Sequence, residues 1–463
     1  MCRAQMNGCC FVRVRLLLLG LVLPALLAGR GEAAPVSLPY GNDFEAPPGS
    51  EWSFTPASGA WSVSGGTLNY SSTLTGSTLT AAVQLDNSVN VANTGVRMSM
   101  DFRASTIPPG SDIGFGAFGD TPNYVLGGDA HYLADLKPSG AMRILRVSNA
   151  MPLSHATLID LTGLYTFSPE ETYTLTFEMF PTAGTNQLRL TIDDPSRGAP
   201  LTLSVVDPNL LPGRYMGIRN RNQGAVAATF DDFSLAAIVP PRAVYNFDWG
   251  PNNGVGVYSG VAAALDPAGT GAVWSQGYNG GDNAVADSFG NPSTVKVWLE
   301  SAYGFGTRTT NWDTDTSIGA SENTLQGDLF WITQAGLDHE ASTGGNGLYD
   351  ITVKGLDPSK VYDLYVYGGG NRGTTVTLGE ETYTMTGTFG NPANPLAWAE
   401  SRHFVAFRGL SGSSEYALAL GVAAGSTSLG FSGLQVVLIP EPSSGLLCLL
   451  ALSCAVLGRR RRR

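Results

Sequence analysis

Short runs in which apolar and polar residues alternate one by one, separated by glycine and proline clusters, are the feature that most restricts how this chain can fold. Val96, Met98, Met100 and Phe102 alternate with Arg97, Ser99, Asp101 and Arg103, the period-two pattern of a half-buried strand. Tyr173, Leu175, Phe177 and Met179 repeat it, as do Leu188, Leu190 and Ile192. Similar runs follow at Val295, Val297 and Leu299, at Tyr349, Ile351 and Val353, at Tyr362, Leu364 and Val366, and at Phe404 and Ala406. Turn clusters such as Pro108-Pro109-Gly110 and Gly368-Gly369-Gly370 divide them. No stretch sustains a period of 3.6 with caps. Composition agrees, because charged residues are only 14 % of the chain and glycine supplies 58 of 463 positions, which excludes long charged helices. At 43 % hydrophobic the chain still has enough apolar surface to build cores. The fold class expected is all-β, as two consecutive β-sandwich or jelly-roll domains.

The division falls at Ile238-Val239-Pro240-Pro241-Arg242, where two prolines follow a strand-like Thr229–Ala237 and precede a new start at Tyr245-Asn246-Phe247-Asp248. Domains at 35–238 and 243–439, with 239–242 as linker, give about 200 residues to each sandwich.

Residues 35–440 carry 18 Lys and Arg against 36 Asp and Glu, a balance near −18. Nucleic acid is excluded as a partner, since its binding rests on basic groups neutralising phosphate. Divalent cations or simple solubility suit such a charge. All five cysteines, Cys2, Cys9, Cys10, Cys448 and Cys454, fall in the terminal segments, so the central region has neither a disulfide nor a thiolate metal site.

Residues 1–34 open with Arg3, Arg13 and Arg15, continue through the apolar Leu16–Ala28 and reach Gly31-Glu32-Ala33-Ala34, the three parts of a secretory signal peptide. The other end, 440–463, reads Pro440-Glu441-Pro442, then the uncharged Gly445–Gly458, then Arg459–Arg463. A short transmembrane helix with an arginine block would hold that end on the cytoplasmic side and leave the middle outside. This tripartite end resembles the PEP-CTERM sorting signal. The resemblance implies export across the inner membrane, transient anchoring at the C-terminus, processing by an exosortase-type protease, and a cell-surface or extracellular destination beside exopolysaccharide.

Two further resemblances concern the domains. Asp43-Phe44-Glu45 in an opening strand, Trp61-Ser62-Val63 leading into Gly66-Thr67-Leu68, Gly217-Ile218-Arg219-Asn220 and the closing Phe230–Leu235 make the first half resemble concanavalin A-like or laminin-G-like jelly rolls. Asn246-Phe247-Asp248-Trp249-Gly250, Gly355-Leu356-Asp357-Pro358 and Gly433–Val437 make the second similar to galactose-binding-like sandwiches.

Catalytic patterns are missing where those folds would carry them. The Glu-x-Asp-x-x-Glu run of a glucanase is absent, and the adjacent Glu170-Glu171 would face opposite sides of a strand. There is no Gly-x-Ser-x-Gly elbow, and His131, His155, His339 and His403 have no zinc spacing. Asp338-His339-Glu340 reads as a solvated loop. No cofactor is required, but a structural calcium is expected at one of two places. Asn311, Asp313, Asp315, Ser317 and Glu322 have EF-hand-type spacing, although Thr316 stands where the turn wants glycine; a plain Asx- and Thr-rich turn is the alternative. Asp43, Glu45, Asp231 and Asp232 would meet if the first and last strands of domain one pair; the alternative is an acidic edge that resists strand pairing.

Sugar contact needs aromatic faces beside a few polar groups. Trp274, Tyr278 and Trp312 lie in polar, glycine-rich stretches and are the loop aromatics expected to supply it, whereas Trp298 reads as core. Asp129, His131, Tyr132, Arg219, Asn220 and Arg221 form a polar set expected to line a concave face. The functional expectation is a non-enzymatic, exported bacterial surface or matrix protein contacting exopolysaccharide or another glycan. The alternatives are a structural or adhesive component without a ligand, and a polysaccharide-acting enzyme.

Overall fold

The computed structural model describes residues 34–440 apart from 56–59, 74, 125–128, 149–153, 183, 250–257, 259–261, 278–279, 302–312, 315–327, 370–371 and 388–396. Both terminal segments, with the expected signal peptide, the apolar run 445–458 and Glu441-Pro442, therefore lie outside the described residues. Among the described residues no helix is long and apolar enough to cross a membrane.

The alternating runs become strands, and their apolar phase faces inward. In the first half two antiparallel sheets lie face to face. One runs in the order Leu201–Asp207, Thr185–Asp193, Thr172–Thr182, Val96–Thr106, Val226–Ala237, Thr67–Ser72, Trp61–Ser64, with Tyr40–Asn42 also paired to Val226–Ala237. The other, seven-stranded, runs Ser154–Leu161, Met142–Ser148, His131–Leu136, Asp112–Gly119, Tyr215–Gln223, Thr75–Gln84, Trp52–Thr55. Met98, Phe102, Phe177 and Leu190 of the first sheet share one buried core with Val83, Phe115, Ile144 and Ile218 of the second. Each such side chain contributes about 1.5–3 kcal/mol by leaving water.

In the second half a six-stranded antiparallel sheet, Gly281–Ala284, Lys296–Leu299, Tyr349–Lys354, Glu415–Val422, Thr374–Leu378, Glu381–Met385, packs on a five-stranded one, Ser275–Gln276, Ala243–Asp248, Gly433–Leu438, Tyr362–Tyr367, Phe404–Leu410. Val297, Ile351 and Leu418 meet Phe247, Val366 and Leu434 between them. A three-stranded sheet, Asp313–Thr314, Asp328–Thr333, Ser428–Phe431, adjoins them.

One segment departs from the expected loop. Asp338-His339-Glu340 lies inside an α-helix, Gln334–Ser342, started by the Thr333 side chain accepting from the Gly336 N–H at 3.2 Å. The Glu340 carboxylate accepts from the Gly347 N–H at 2.5 Å, and a Cβ at Gly345 would lie 1.1 Å from Glu340 Oε1. The glycines that made this stretch look like a loop are what let the chain close over the carboxylate.

The halves also share a strand. Ala397–Ala399, from the second half, pairs with Leu201–Asp207 at the edge of the first half's sheet. Ala397 and Ala399 join the first core while Trp398 joins a cluster with Tyr365, Tyr367 and Phe404, so successive side chains of one strand serve two separate apolar clusters. Around it, Arg408 donates to both Glu400 oxygens at 2.9 and 2.8 Å and to Thr202 Oγ1 at 3.3 Å. Gln187 and the Asp266 backbone exchange two hydrogen bonds of 2.6 and 3.0 Å. An edge that would otherwise be open to strand pairing is thus covered from within the chain.

Candidate functional site

Strand alternation sorts the expected site residues by face, and it reverses the tryptophan expectation. Trp274 is buried, packed edge-on against Tyr258 at 5.1 Å and Tyr367 at 6.3 Å, because the segment before Ser275–Gln276 folds over the five-stranded sheet. It is a core residue and offers no loop platform. Tyr278 and Trp312 lie outside the described residues. Trp298, read as core, is only partly buried on the outer face of the six-stranded sheet, while its neighbours Val297 and Leu299 point into the core. The signal was present: Lys296 and Trp298 share one phase of the strand, opposite the apolar one.

That outer face carries a row of mainly polar residues across the ladder. Asp282, Trp298, Thr352 and Ala417 stand side by side in register, with Lys296, Lys354 and Glu415 in the next row. The Lys354 Nζ sits 5.6 Å from the Trp298 ring centroid and 3.1 Å from Asp282 Oδ1, and Lys296 Nζ is 3.7 Å from Asp282 Oδ2. One aromatic ring, one carboxylate and two ammonium groups, all accessible, therefore lie together on a rigid sheet.

The polar set of the first half splits between two faces. Tyr132 and Asn220 point inward. The Tyr132 hydroxyl donates to Asp207 Oδ2 at 2.8 Å, and burial together with the Asp207 charge holds its pKa far above the ordinary value. Asn220 is fully buried, and its amide has no hydrogen-bond partner among the described residues. Asp129 accepts from the Thr121 hydroxyl at 2.8 Å in the segment ahead of His131. His131, Arg219 and Arg221 project from the seven-stranded sheet on the side away from the core, where His131 and Arg219 are buried.

Two further carboxylates that sequence reading missed are buried on the same side of the sheet. Arg219 Nη1 donates to Asp112 Oδ1 at 2.5 Å and Asp135 Oδ2 at 3.1 Å, while Arg143 Nη2 donates to Asp112 Oδ2 at 2.6 Å and Asp135 Oδ2 at 2.9 Å. Burial and the neighbouring Asp135 push the Asp112 carboxyl up, against the pull of Arg219 and Arg143. Two acids are thus held by two arginines. His131 Nδ1 lies 2.5 Å from the Asp129 carbonyl, and burial draws its pKa down to about 4. The imidazole is therefore neutral at pH 7, donating through Nδ1 and leaving Nε2 as an acceptor. Their sequence signal was positional only: each is a polar residue on the outward phase of a strand.

The first and last strands of the first half do pair, with Asn42 opposite Phe233. The chain leaves the strand at Asn42, so Asp43-Phe44-Glu45 follows the opening strand and does not form it, and Phe44 takes φ of 52°. Burial, then Asp231, Asp101 and Asp43, raise the Asp232 carboxyl. Among the described residues no group of three or more His, Cys, Asp or Glu side chains is placed to hold a metal, and Glu45 makes no part of one. Asn311, Asp315, Ser317 and Glu322 lie outside the described residues, as does the Asp313 side chain. An open groove of about 310 Å³ lies on the outer face of the larger sheet beside Asn69, Thr229 and the Arg103–Glu170 ion pair.

No family model and no curated protein matches this chain. Solved structures that overlay on it include lectin II from Ulex europaeus, 15 % identical over 44 % of this chain and 99 % of its own, with a TM-score of 0.32. Peanut lectin is 14 % identical over 44 % and 98 %, also at 0.32. A GH43 glycoside hydrolase engineered for endo-xylanase and exo-arabinofuranosidase activity is 13 % identical over 45 % and 42 %, again at 0.32. Overlays this partial leave ligand and activity to be argued from the chain's own residues.

Proposed function

We propose that this is an exported, non-enzymatic surface or matrix protein that holds a glycan against the outer face of its six-stranded sheet. The observation that carries the reading is the accessible Trp298 ring in register with Asp282 and Thr352 and bordered by Lys296 and Lys354. A pyranose presents an apolar C–H face to an aromatic ring and its hydroxyls to charged groups at the rim. A sheet face, unlike an enclosed pocket, suits an extended polysaccharide. Export rests on the signal-like residues 1–34, and exosortase-type removal of the C-terminal end rests on Pro440-Glu441-Pro442 with its apolar and arginine segments. The non-enzymatic reading is supported by the pairing of the buried Asp112 and Asp135 with arginines.

The test is a glycan and exopolysaccharide array followed by titration. Wild type should bind at least one glycan with micromolar affinity, and Trp298→Ala should weaken it about tenfold or more, roughly 1.4 kcal/mol. The variant should still melt in a cooperative transition, because the partly buried ring lies outside the core between the two sheets. Absence of any binding would favour a structural, ligand-free matrix role, and binding indifferent to Trp298→Ala would move the site elsewhere. Intact-mass measurement from the native host should show both ends removed; a mature species retaining Arg459–Arg463 would defeat the processing proposal.

A further inference from the structure

We propose that the end of the five-stranded sheet from which the chain leaves at Pro440 docks against a phospholipid bilayer, which covers the exposed apolar side chains gathered there until the C-terminal end is removed. The inference rests on the reading of 445–458 as a membrane segment and adds to it a second contact, made by the folded second half of the chain.

The large apolar side chains exposed among the described residues are Val239, Phe289, Val273 and Val361, at 68, 59, 41 and 36 %. Single exposed apolar residues are ordinary, but these stand around one point. The last strand, Gly433–Leu438, runs out through Ile439, whose N–H donates to the Val361 carbonyl at 2.9 Å. On its other side Ala243 pairs with Leu438, and the Arg242 N–H, three residues after Val239, donates to the Leu438 carbonyl at 3.1 Å. Beyond that strand Tyr245 bridges Asp287 in the antiparallel sense, which carries Phe289 to the Ala243 end. The Val273 N–H donates to the Ser288 carbonyl at 2.9 Å and so brings Val273 alongside. Phe289 is held out by a tied turn, since Asp287 Oδ1 accepts from the Phe289 and Asn291 N–H groups at 3.0 and 2.8 Å.

The sequence that follows decides what covers them. Only Glu441-Pro442-Ser443-Ser444 separates Pro440 from the uncharged Gly445–Gly458, so that run begins within about 17 Å of the sheet end even with the chain fully extended. As a helix its 14 residues would measure about 21 Å, against a hydrocarbon core of about 30 Å. A span that short draws its flanks towards the interface, and the flank here is the apolar rim of the sheet. The charges of the rim agree with this. Arg242 is exposed beside Leu438, where a lipid phosphate would meet it, while Asp357 Oδ1 is taken up by the Ser359 N–H at 2.9 Å as Asp287 is by its own turn.

The experiment uses the full chain in vesicles of phosphatidylcholine and phosphatidylglycerol, with its five cysteines replaced by alanine. Flotation with the vesicles reports the tail. A fluorophore attached through Phe289→Cys reports the rim, and one attached through Glu171→Cys serves as comparison, beside the Thr172–Arg103 pair and remote from the contact of Ile238 with Gly95. Nitroxide-bearing phosphatidylcholine should lower the emission at position 289 about twofold or more and leave that at 171 unchanged. Val239→Asp together with Val361→Asp should remove most of the quenching at 289 without altering flotation. Flotation without quenching at 289, equal quenching at 289 and 171, or quenching indifferent to the two aspartates would each overturn the docking and leave the anchor standing, whereas failure to float would overturn both. If the doubly substituted chain fails to fold, a label attached through Val273→Cys decides: quenching there by the nitroxide lipid supports the docking, and its absence refutes it.

Discussion

Acidification should weaken this protein through one imidazole, and the size of the effect follows from where His131 sits. Its ring is packed at 5.5 Å from the Tyr124 ring, its Nδ1 is given to the Asp129 carbonyl, and the Arg219 guanidinium opposes a second positive charge nearby. Burial is the dominant cause that lowers its pKa from 6.5 to about 4. A group whose folded pKa is lowered binds its proton more readily in the unfolded chain, so stability is complete above pH 6.5 and falls as the pH drops toward 4. A gap of about 2.5 pH units at about 1.4 kcal/mol each amounts to ~3 kcal/mol, fully lost only below pH 4. Urea unfolding at several pH values between 7.5 and 4.5 should therefore show a downward slope approaching one proton in wild type. In His131→Asn, whose Nδ2 stands where the ring's Nδ1 stood and keeps a donor for the Asp129 carbonyl but does not titrate, the slope should be shallower by that proton. Parallel pH profiles for the two proteins across this window would refute the argument, because the carboxylates are common to both.

Calorimetry should show the two halves melting together in wild type, since Ala397–Ala399 is a strand of one half's sheet and a link of the other's core. Arg408→Ala should cost about 3 kcal/mol by leaving the Glu400 carboxylate buried without its partner, and should separate the transition into two; two transitions in wild type would contradict the shared strand. Asp232→Asn should raise the melting point at pH 7, because a carboxyl whose folded pKa is raised by burial, Asp231, Asp101 and Asp43 destabilises the ionised state, and the gain should vanish on acidification as wild type takes up the proton. Millimolar calcium should raise the wild-type midpoint more than magnesium at matched ionic strength; equal midpoints in calcium, magnesium and chelator would end the expectation of a structural calcium.

The strands, and the change of sheet between Ala237 and Ala243, were legible because period-two alternation is a local property: one phase of Val96–Phe102 or Tyr349–Val353 must face a core whatever that core is made of. Alternation does not say whether the second phase is covered. For that reason Trp274, in a polar stretch, could be buried by a neighbouring sheet, while Trp298, beside Val297 and Leu299, was left on an open face. The helix Gln334–Ser342 was hidden by glycines whose purpose appears only once the Glu340 carboxylate is seen beneath them. Ala397–Ala399 has three uncharged residues and no pattern long enough to read, yet it ties the second half of the chain to the sheet of the first because an edge strand there had unpaired backbone groups to offer. Arg219 and His131 are far apart along the chain and could be named there only as members of a polar set; antiparallel pairing through Asp112–Gly119 sets both on one side of the sheet with Asp112, Asp135 and Arg143. Local sequence thus determined which residues are strands and which phase is apolar. Burial, pairing across sheets and the company each polar group keeps were decided by tertiary structure, because they depend on surfaces contributed by distant segments.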